Sequence, residues 1–144
     1  MTAPRETDLY PAIKNLLEAQ GYVVKGEVGA ADVVALRGSE PPVIVELKLA
    51  LSLTLFHQAV ARQALTDDVY IAVAHKPGKR FAKSAKQAMS LARRLGLGRM
   101  TVRRTDGTVY VHCDPAPFQP RKSKSRQTAL LKEFAKRSCA ATKF

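Results

Sequence analysis

The sequence predicts an α/β fold in which a mixed central sheet is flanked by helices. Apolar segments of strand length alternate with amphipathic segments of helical period, and three strand-like segments follow one another before the second helix. The fourth strand-like segment, VYIAVAH, is apolar on nearly every residue, as expected for a strand covered on both faces. With 144 residues and 46% hydrophobic content, the chain fits one domain and a short appended segment.

The first helix is predicted near the N-terminus. Thr7 or Asp8 is suited to cap its start, Pro11 fits its first turn, and Gly21 lies where a helix would end. Its apolar face is marked by four residues at helical spacing, namely Leu9, Ile13, Leu16 and Leu17.

Three short strands are predicted next, at Tyr22–Val28, Asp32–Arg37 and Val43–Leu49. The segments between them, GAA and GSEPP, are short and typical of turns. Strands joined by such short connections pair antiparallel, so these three form a meander.

The remaining elements follow from the same periodicities. A second helix is predicted from about Thr54 to Leu65, and Val69–His75 is the fourth strand. A third helix extends from about Phe81 to Leu95 and ends near Gly96. Asp106 and Gly107 are a strong hairpin signal, and they join a strand at Met100–Arg104 to another at Thr108–Cys113. The predicted order is α-β-β-β-α-β-α-β-β.

The chain changes character after Asp114, which predicts a domain over residues 1–114 and a basic tail over 115–144. Prolines interrupt the chain at Pro115, Pro117 and Pro120, and the basic run RKSKSR follows. An apolar stripe of Leu130, Leu131, Phe134 and Ala135 then indicates an amphipathic helix. This tail is expected to pack its stripe on the domain or to fold on contact with a polyanion.

Charge is distributed unevenly along the chain. The formal net charge is +12, with −3 over residues 1–75 and +15 over residues 76–144. Clustered lysine and arginine favour contact with phosphate backbones, because condensed counterions are released. A solvated basic surface is the alternative. The third helix and the loop HKPGKR before it carry the predicted nucleic-acid contacts, which are Lys76, Lys79, Arg80, Lys83 and Lys86.

Several other classes of protein lack support in the sequence. No signal peptide pattern or membrane-length apolar run is present, so a cytoplasmic protein without a membrane role is expected. Cys113 and Cys139 are too few and too isolated for a disulfide framework or a structural zinc site. The chain contains no GxxxxGK[ST], no GxGxxG and no serine-hydrolase pattern.

The most informative segment is the third strand, VIVELKL, which carries two charges within an apolar run. Because side chains alternate along a strand, Glu46 and Lys48 share one face. The antiparallel meander brings Asp32, at the start of the second strand, close to them. A surface salt bridge with a turn aspartate would explain the same residues, but charges in so apolar a strand are usually paired or functional.

This arrangement predicts a divalent metal site and phosphodiester hydrolysis. Mg²⁺ or Mn²⁺ takes oxygen ligands, which Asp32 and Glu46 supply, together with the backbone carbonyl of Leu47. Lys48 would position the attacking water. An outer carboxylate would come from Glu6 or Asp8 at the start of the first helix.

The element order, with Asp32 and then Glu46-Leu47-Lys48, resembles the PD-(D/E)xK phosphodiesterase superfamily over about residues 6–75. The resemblance implies a restriction endonuclease-like core, with Asp32 and Glu46 as metal ligands and Lys48 as the catalytic lysine. It also implies roles for Glu6 and for Gln58 on the second helix. Ala31 stands where the family name has proline.

The predicted function is therefore metal-dependent hydrolysis of DNA phosphodiester bonds. One alternative is a nucleic-acid-binding protein of the same fold that does not hydrolyse its ligand, and another is a basic assembly protein. A homodimer is the arrangement that would favour cutting both strands.

Overall fold

A computed structural model describes residues 5–137 and shows a six-stranded mixed sheet with four α-helices. The strands are β1 (Val23–Val28), β2 (Ala31–Leu36), β3 (Val43–Lys48), β4 (Val69–Ala74), β5 (Gly98–Arg103) and β6 (Thr108–Cys113). The helices are α1 (Tyr10–Ala19), α2 (Leu53–Arg62), α3 (Lys79–Leu95) and α4 (Lys124–Lys136). This confirms the predicted fold class and the order of the elements.

The strands lie in the sheet in the order in which they occur along the chain. β1, β2 and β3 form the predicted antiparallel meander. β3, β4 and β5 are parallel, because α2 and α3 return the chain to the starting edge between them. β6 pairs antiparallel with β5 through the predicted hairpin. The C-terminal ends of three parallel strands consequently lie at one edge of the sheet.

Each face of the sheet has its own hydrophobic core. On one face, Leu9 from the turn before α1 and Ile13 and Leu17 from α1 are buried against residues that include Val33, Val45 and Leu47. On the other, α2 and α3 pack through Leu55, Phe56, Ala59, Ala88 and Ala92. The sheet is therefore covered on both sides where β3 and β4 pass through its centre, which explains why these strands are apolar.

The helix termini differ in detail from the sequence prediction. A single 3₁₀ turn, Glu6–Leu9, precedes α1, and Asp8 accepts a hydrogen bond from the Arg5 backbone N–H at 2.8 Å. Asp8 thus lies inside the first turn, and Thr7 does not cap it. α2 begins one residue earlier than predicted, at Leu53, because the Ser52 hydroxyl accepts a hydrogen bond from the Leu55 N–H.

The segment that follows β6 contacts the C-terminal end of α3. Gly96 lies close to the Ala116 carbonyl, and the Arg94 guanidinium stacks on the Phe118 ring at 4.9 Å. α4 forms where the amphipathic helix was predicted, and its Leu130, Leu131 and Phe134 side chains are exposed. Cys139 lies outside the described residues. Over residues 5–137, the structure contains no helix with the length and apolar character to cross a bilayer.

Candidate functional site

The paired strands β2 and β3 separate at Asp32. Their ladder reaches the Val33–Val45 pair, and beyond it two side-chain hydrogen bonds connect the strands. Asp32 Oδ2 accepts from the Leu47 backbone N–H at 2.8 Å, and Glu46 Oε2 accepts from the Asp32 N–H at 2.9 Å. The two carboxylates thus replace backbone acceptors at the point of separation, so the structure brings Asp32, Glu46 and Leu47 together.

Glu46 is a buried carboxylate with a cationic partner on α2. Its side chain is 1% exposed, and Oε1 accepts from Arg62 Nε at 2.9 Å. Arg62 also donates from Nη2 to the Ala30 carbonyl at 2.8 Å, which ties the β1–β2 turn to the same network. Burial raises the pKa of Glu46, the nearby charge of Asp32 adds to this, and the hydrogen bonds from Asp32 and Arg62 oppose it.

Lys48 lies at the end of β3, where its side chain is half-buried. Its Nζ is 3.2 Å from Oε1 of Glu6, which belongs to the 3₁₀ turn before α1. Of the two acids predicted to serve the site from this region, the structure therefore places Glu6 beside Lys48. Asp8 is used in the hydrogen bond to Arg5.

A cavity of about 410 Å³ opens between the start of α1 and the ends of β1, β2 and β3. Its lining includes Leu47 and three carboxylates, from Glu6, Glu27 and Asp32. Glu27 has a φ of 54°, the left-handed conformation that residues other than glycine adopt rarely and at a cost of roughly 1–3 kcal/mol. Sequence reasoning missed Glu27, because KGEVG shows only the composition of a strand end and a turn.

A metal ion, which the superfamily resemblance implies, fits the chemistry of this cavity. Its carboxylates are the hard oxygen donors that Mg²⁺ and Mn²⁺ prefer, and one oxygen of Asp32 is already fixed by the Leu47 N–H. Glu46, however, does not line the cavity. Within residues 5–137, no three His, Cys, Asp or Glu side chains are grouped closely enough to hold a metal ion as they stand. The metal roles of Asp32, Glu46 and Leu47 accordingly stay predictions.

On α2, the residue that contacts the site is Arg62, one helical turn beyond the predicted Gln58. Residues four apart lie on the same helix face, so Gln58 and Arg62 share one face of α2. The contact of Arg62 with Glu46 was not predicted, because Gln58 and Arg62 fit the same helical pattern. Only the position of α2 against β3 determines which of the two residues reaches Glu46. Gln58 is half-buried, and its proposed role stays a prediction.

The five predicted nucleic-acid contacts all lie in or before the N-terminal half of α3 and are exposed, and we name them the α3 cation face: Lys76, Lys79, Arg80, Lys83 and Lys86. Lys76 and Arg80 line a cavity of about 380 Å³ together with Leu49 and Ala50, the two residues that follow Lys48. The α3 cation face therefore adjoins the end of β3, at the sheet edge that carries the charged residues.

A family model matches the C-terminal part of the chain. A family model described as "Putative PD-(D/E)XK phosphodiesterase (DUF2161)" matches residues 100–143. This range contains most of β5, all of β6 and α4, and it does not include Asp32, Glu46 or Lys48. The match thus rests on a different part of the chain from the resemblance over residues 6–75. Together with the fold, it confirms the resemblance to the PD-(D/E)xK phosphodiesterase superfamily. No curated protein matches the chain.

Proposed function

We propose that this protein is a metal-dependent nuclease that hydrolyses phosphodiester bonds in DNA. The proposal rests on the proximity of Asp32, Leu47 and the Lys48–Glu6 ion pair at the ends of β2 and β3. A carboxylate held by a backbone N–H and a lysine at the end of the neighbouring strand supply the groups that phosphodiester hydrolysis requires. The family match supports phosphodiesterase chemistry independently of these residues.

In this proposal each residue has a distinct task. Asp32 and Glu6 line the cavity and would hold the divalent ion there. The ion would act as a Lewis acid on the phosphate and would lower the pKa of bound water. Lys48 would hold and position the attacking water through its Nζ. Glu46 does not line the cavity, and here it would hold Asp32 in position in place of the metal role that the sequence predicts for it, since its carboxylate accepts from the Asp32 N–H and Arg62 fixes its other oxygen.

The α3 cation face would hold the DNA backbone. Its cations are spread over about two turns of a helix, a spacing suited to successive phosphates rather than to one small anion. Because Lys76 and Arg80 share a cavity wall with Leu49 and Ala50, a strand bound there passes the end of β3. The bound backbone would then lie close to Lys48.

One observation favours a second candidate, a nucleic-acid-binding protein that does not hydrolyse its ligand. Arg62 already neutralises the buried Glu46, so the charge that a metal would balance is partly balanced by the protein itself. A structural ion pair of this kind stabilises the sheet edge without any catalytic role.

The test is cleavage of supercoiled plasmid, single-stranded DNA and branched DNA with Mg²⁺, Mn²⁺ or EDTA. Wild-type protein is compared with Lys48→Ala, Asp32→Asn and Glu46→Gln, and with Lys25→Ala as a matched change at an exposed lysine on β1. Metal-dependent cutting that is lost in Lys48→Ala and Asp32→Asn and kept in Lys25→Ala is the expected result. Salt-sensitive DNA binding without cutting under any condition would refute hydrolysis and support the second candidate.

A further inference from the structure

Arg99 on β5 carries a cationic side chain that is almost fully buried. Its side chain is 2% exposed, and within residues 5–137 its Nε and Nη2 make no hydrogen bond. Burial lowers the pKa of Arg99, and the neighbouring Cys113 opposes this shift. Buried charges in native proteins are paired or serve a ligand, because an uncompensated one costs several kcal/mol. Among the residues that the structure describes, Arg99 therefore has no anion to balance its charge.

Arg99 lines a cavity of about 490 Å³ between α3 and the sheet. Arg99 pairs with Ile71, which packs under α2 and α3, so both side chains lie on the α3 side of the sheet. His112 lies beside Arg99 in the cavity lining, and its Nε2 is 2.8 Å from the Thr101 hydroxyl. The volume is within the range of about 300–1,000 Å³ that small-molecule sites occupy. We name this space the Arg99 cavity.

The walls of the Arg99 cavity combine positive charge with apolar surface. Lys76 and Lys86 stand at its edge, and the described lining includes no aspartate or glutamate. Phe81 and Met89 supply an apolar wall on α3, and His75 packs edge-on against the Phe81 ring with centroids 5.4 Å apart. This combination suits a ligand that has a negatively charged end and a flat apolar part.

The N-terminus of α3 adds to the same positive field. Gly78 is the N-cap residue and lines the cavity, and no side chain of residues 5–137 caps the helix. Lys79 and Arg80 follow in the first turn, with no acidic residue to balance the positive end of the helix dipole. Uncapped N–H groups at a helix start are ready donors to an anion.

We propose that the Arg99 cavity binds the phosphate monoester of a nucleotide, with the phosphate on Arg99 and the base against the Phe81 wall. Arginine is suited to this because its planar guanidinium forms paired hydrogen bonds with phosphate oxygens. Aromatic side chains stack on bases of any sequence. This binding does not depend on hydrolysis at Asp32.

The burial of Arg99 selects a monoester over a phosphodiester within a strand. An internal phosphate is attached to sugars on both sides, and these hold it at the surface where the α3 cation face lies. A phosphate monoester has only one ester bond to a sugar, so it enters the cavity without a second sugar holding it at the surface. Such a group belongs either to a free mononucleotide or to the end of a nucleic-acid strand, and the second source rests on the proposed function.

The test measures binding to the full chain by calorimetry in EDTA, so that no cleavage occurs. The probes are thymidine dinucleotides with a 5′-phosphate, with a 3′-phosphate or with hydroxyl ends, and thymidine 5′- and 3′-monophosphates. We expect at least one phosphorylated dinucleotide to bind about tenfold or more tightly than the hydroxyl form, a ratio typical of losing a charge-assisted contact. Monophosphates that bind as tightly as the dinucleotides identify a free nucleotide as the source. Weaker monophosphates identify a strand end.

Arg99→Met is the informative variant, and Arg104→Met is its matched control at an exposed arginine in the turn after β5. Arg99→Met is expected to remain folded, because it replaces an uncompensated buried charge with an apolar side chain of similar length. It should lose the preference for phosphorylated probes, whereas Arg104→Met should keep it. A wild-type protein without this preference, or an Arg99→Met variant that retains it, would overturn the proposal.

A second readout needs only the wild-type protein. Burial, followed by the charges of Arg99 and His75, lowers the pKa of the His112 imidazole. A phosphate bound at Arg99 would offset that charge, so the NMR titration midpoint of His112 should rise with a phosphorylated dinucleotide and stay unchanged with the hydroxyl form. An unchanged His112 titration with every phosphorylated probe would also overturn the proposal.

Discussion

Replacing Arg62 with methionine tests how the buried carboxylate on β3 is held. The change removes the hydrogen bonds from Arg62 to Glu46 Oε1 and to the Ala30 carbonyl, at 2.9 and 2.8 Å. Losing one member of a buried ion pair costs about 3–5 kcal/mol. Because the Arg62 side chain is 18% exposed, water reaches part of the vacated space. We therefore expect the free energy of unfolding to fall by about 2–3 kcal/mol near neutral pH.

The pH dependence of this loss is a sharper test than its size. Burial already raises the pKa of Glu46, and removing Arg62 raises it further, because Arg62 opposes the shift. A glutamate whose pKa is higher in the folded state than in the unfolded state destabilises the fold as the pH rises above the unfolded-state pKa, which is about 4.3. The penalty in Arg62→Met should thus be largest near neutral pH and should shrink as the pH falls toward about 4.3.

The assay is urea unfolding followed by circular dichroism over this pH range. The cycle of wild type, Arg62→Met, Glu46→Gln and the double variant isolates the coupling between the two side chains. Arg93→Met, at an exposed arginine of α3, is the matched control and should change stability by less than about 0.5 kcal/mol. The reasoning is refuted if Arg62→Met behaves like Arg93→Met, or if the Glu46 and Arg62 effects simply add.

Two further predictions concern the scaffold. Gly98→Ala should lower the free energy of unfolding by about 1–3 kcal/mol, because a Cβ at Gly98 would overlap the Tyr70 ring and the Pro115 side chain. An unchanged urea concentration at the midpoint of unfolding would contradict this prediction. Ser52→Ala removes the cap of α2 and should cost about 1 kcal/mol, whereas Ser90→Ala on α3 should be close to neutral. Equal effects of the two serine changes would show that the Ser52 hydroxyl contributes nothing to the helix.

The sequence by itself determined the elements and part of the site. Apolar residues recur with the period of the element that buries them, so the helices and strands were predictable from local pattern. The short GSEPP connection made β2 and β3 antiparallel, and this alone placed Asp32 near Glu46. Each of these predictions depends on a local pattern or on a short connection between successive strands.

Only the tertiary structure decided which side chains complete the site. The ion-pair partners of Glu46 and Lys48 are Arg62 and Glu6, which are 16 residues and 42 residues away along the chain. Their contacts depend on how α2 and the turn before α1 are rotated and positioned against the sheet. The cavity at Arg99 arises in the same way, since local pattern records that a strand is buried but not which cavity its side chains line. Contacts between distant segments are set by packing, and a periodic pattern carries no information about them.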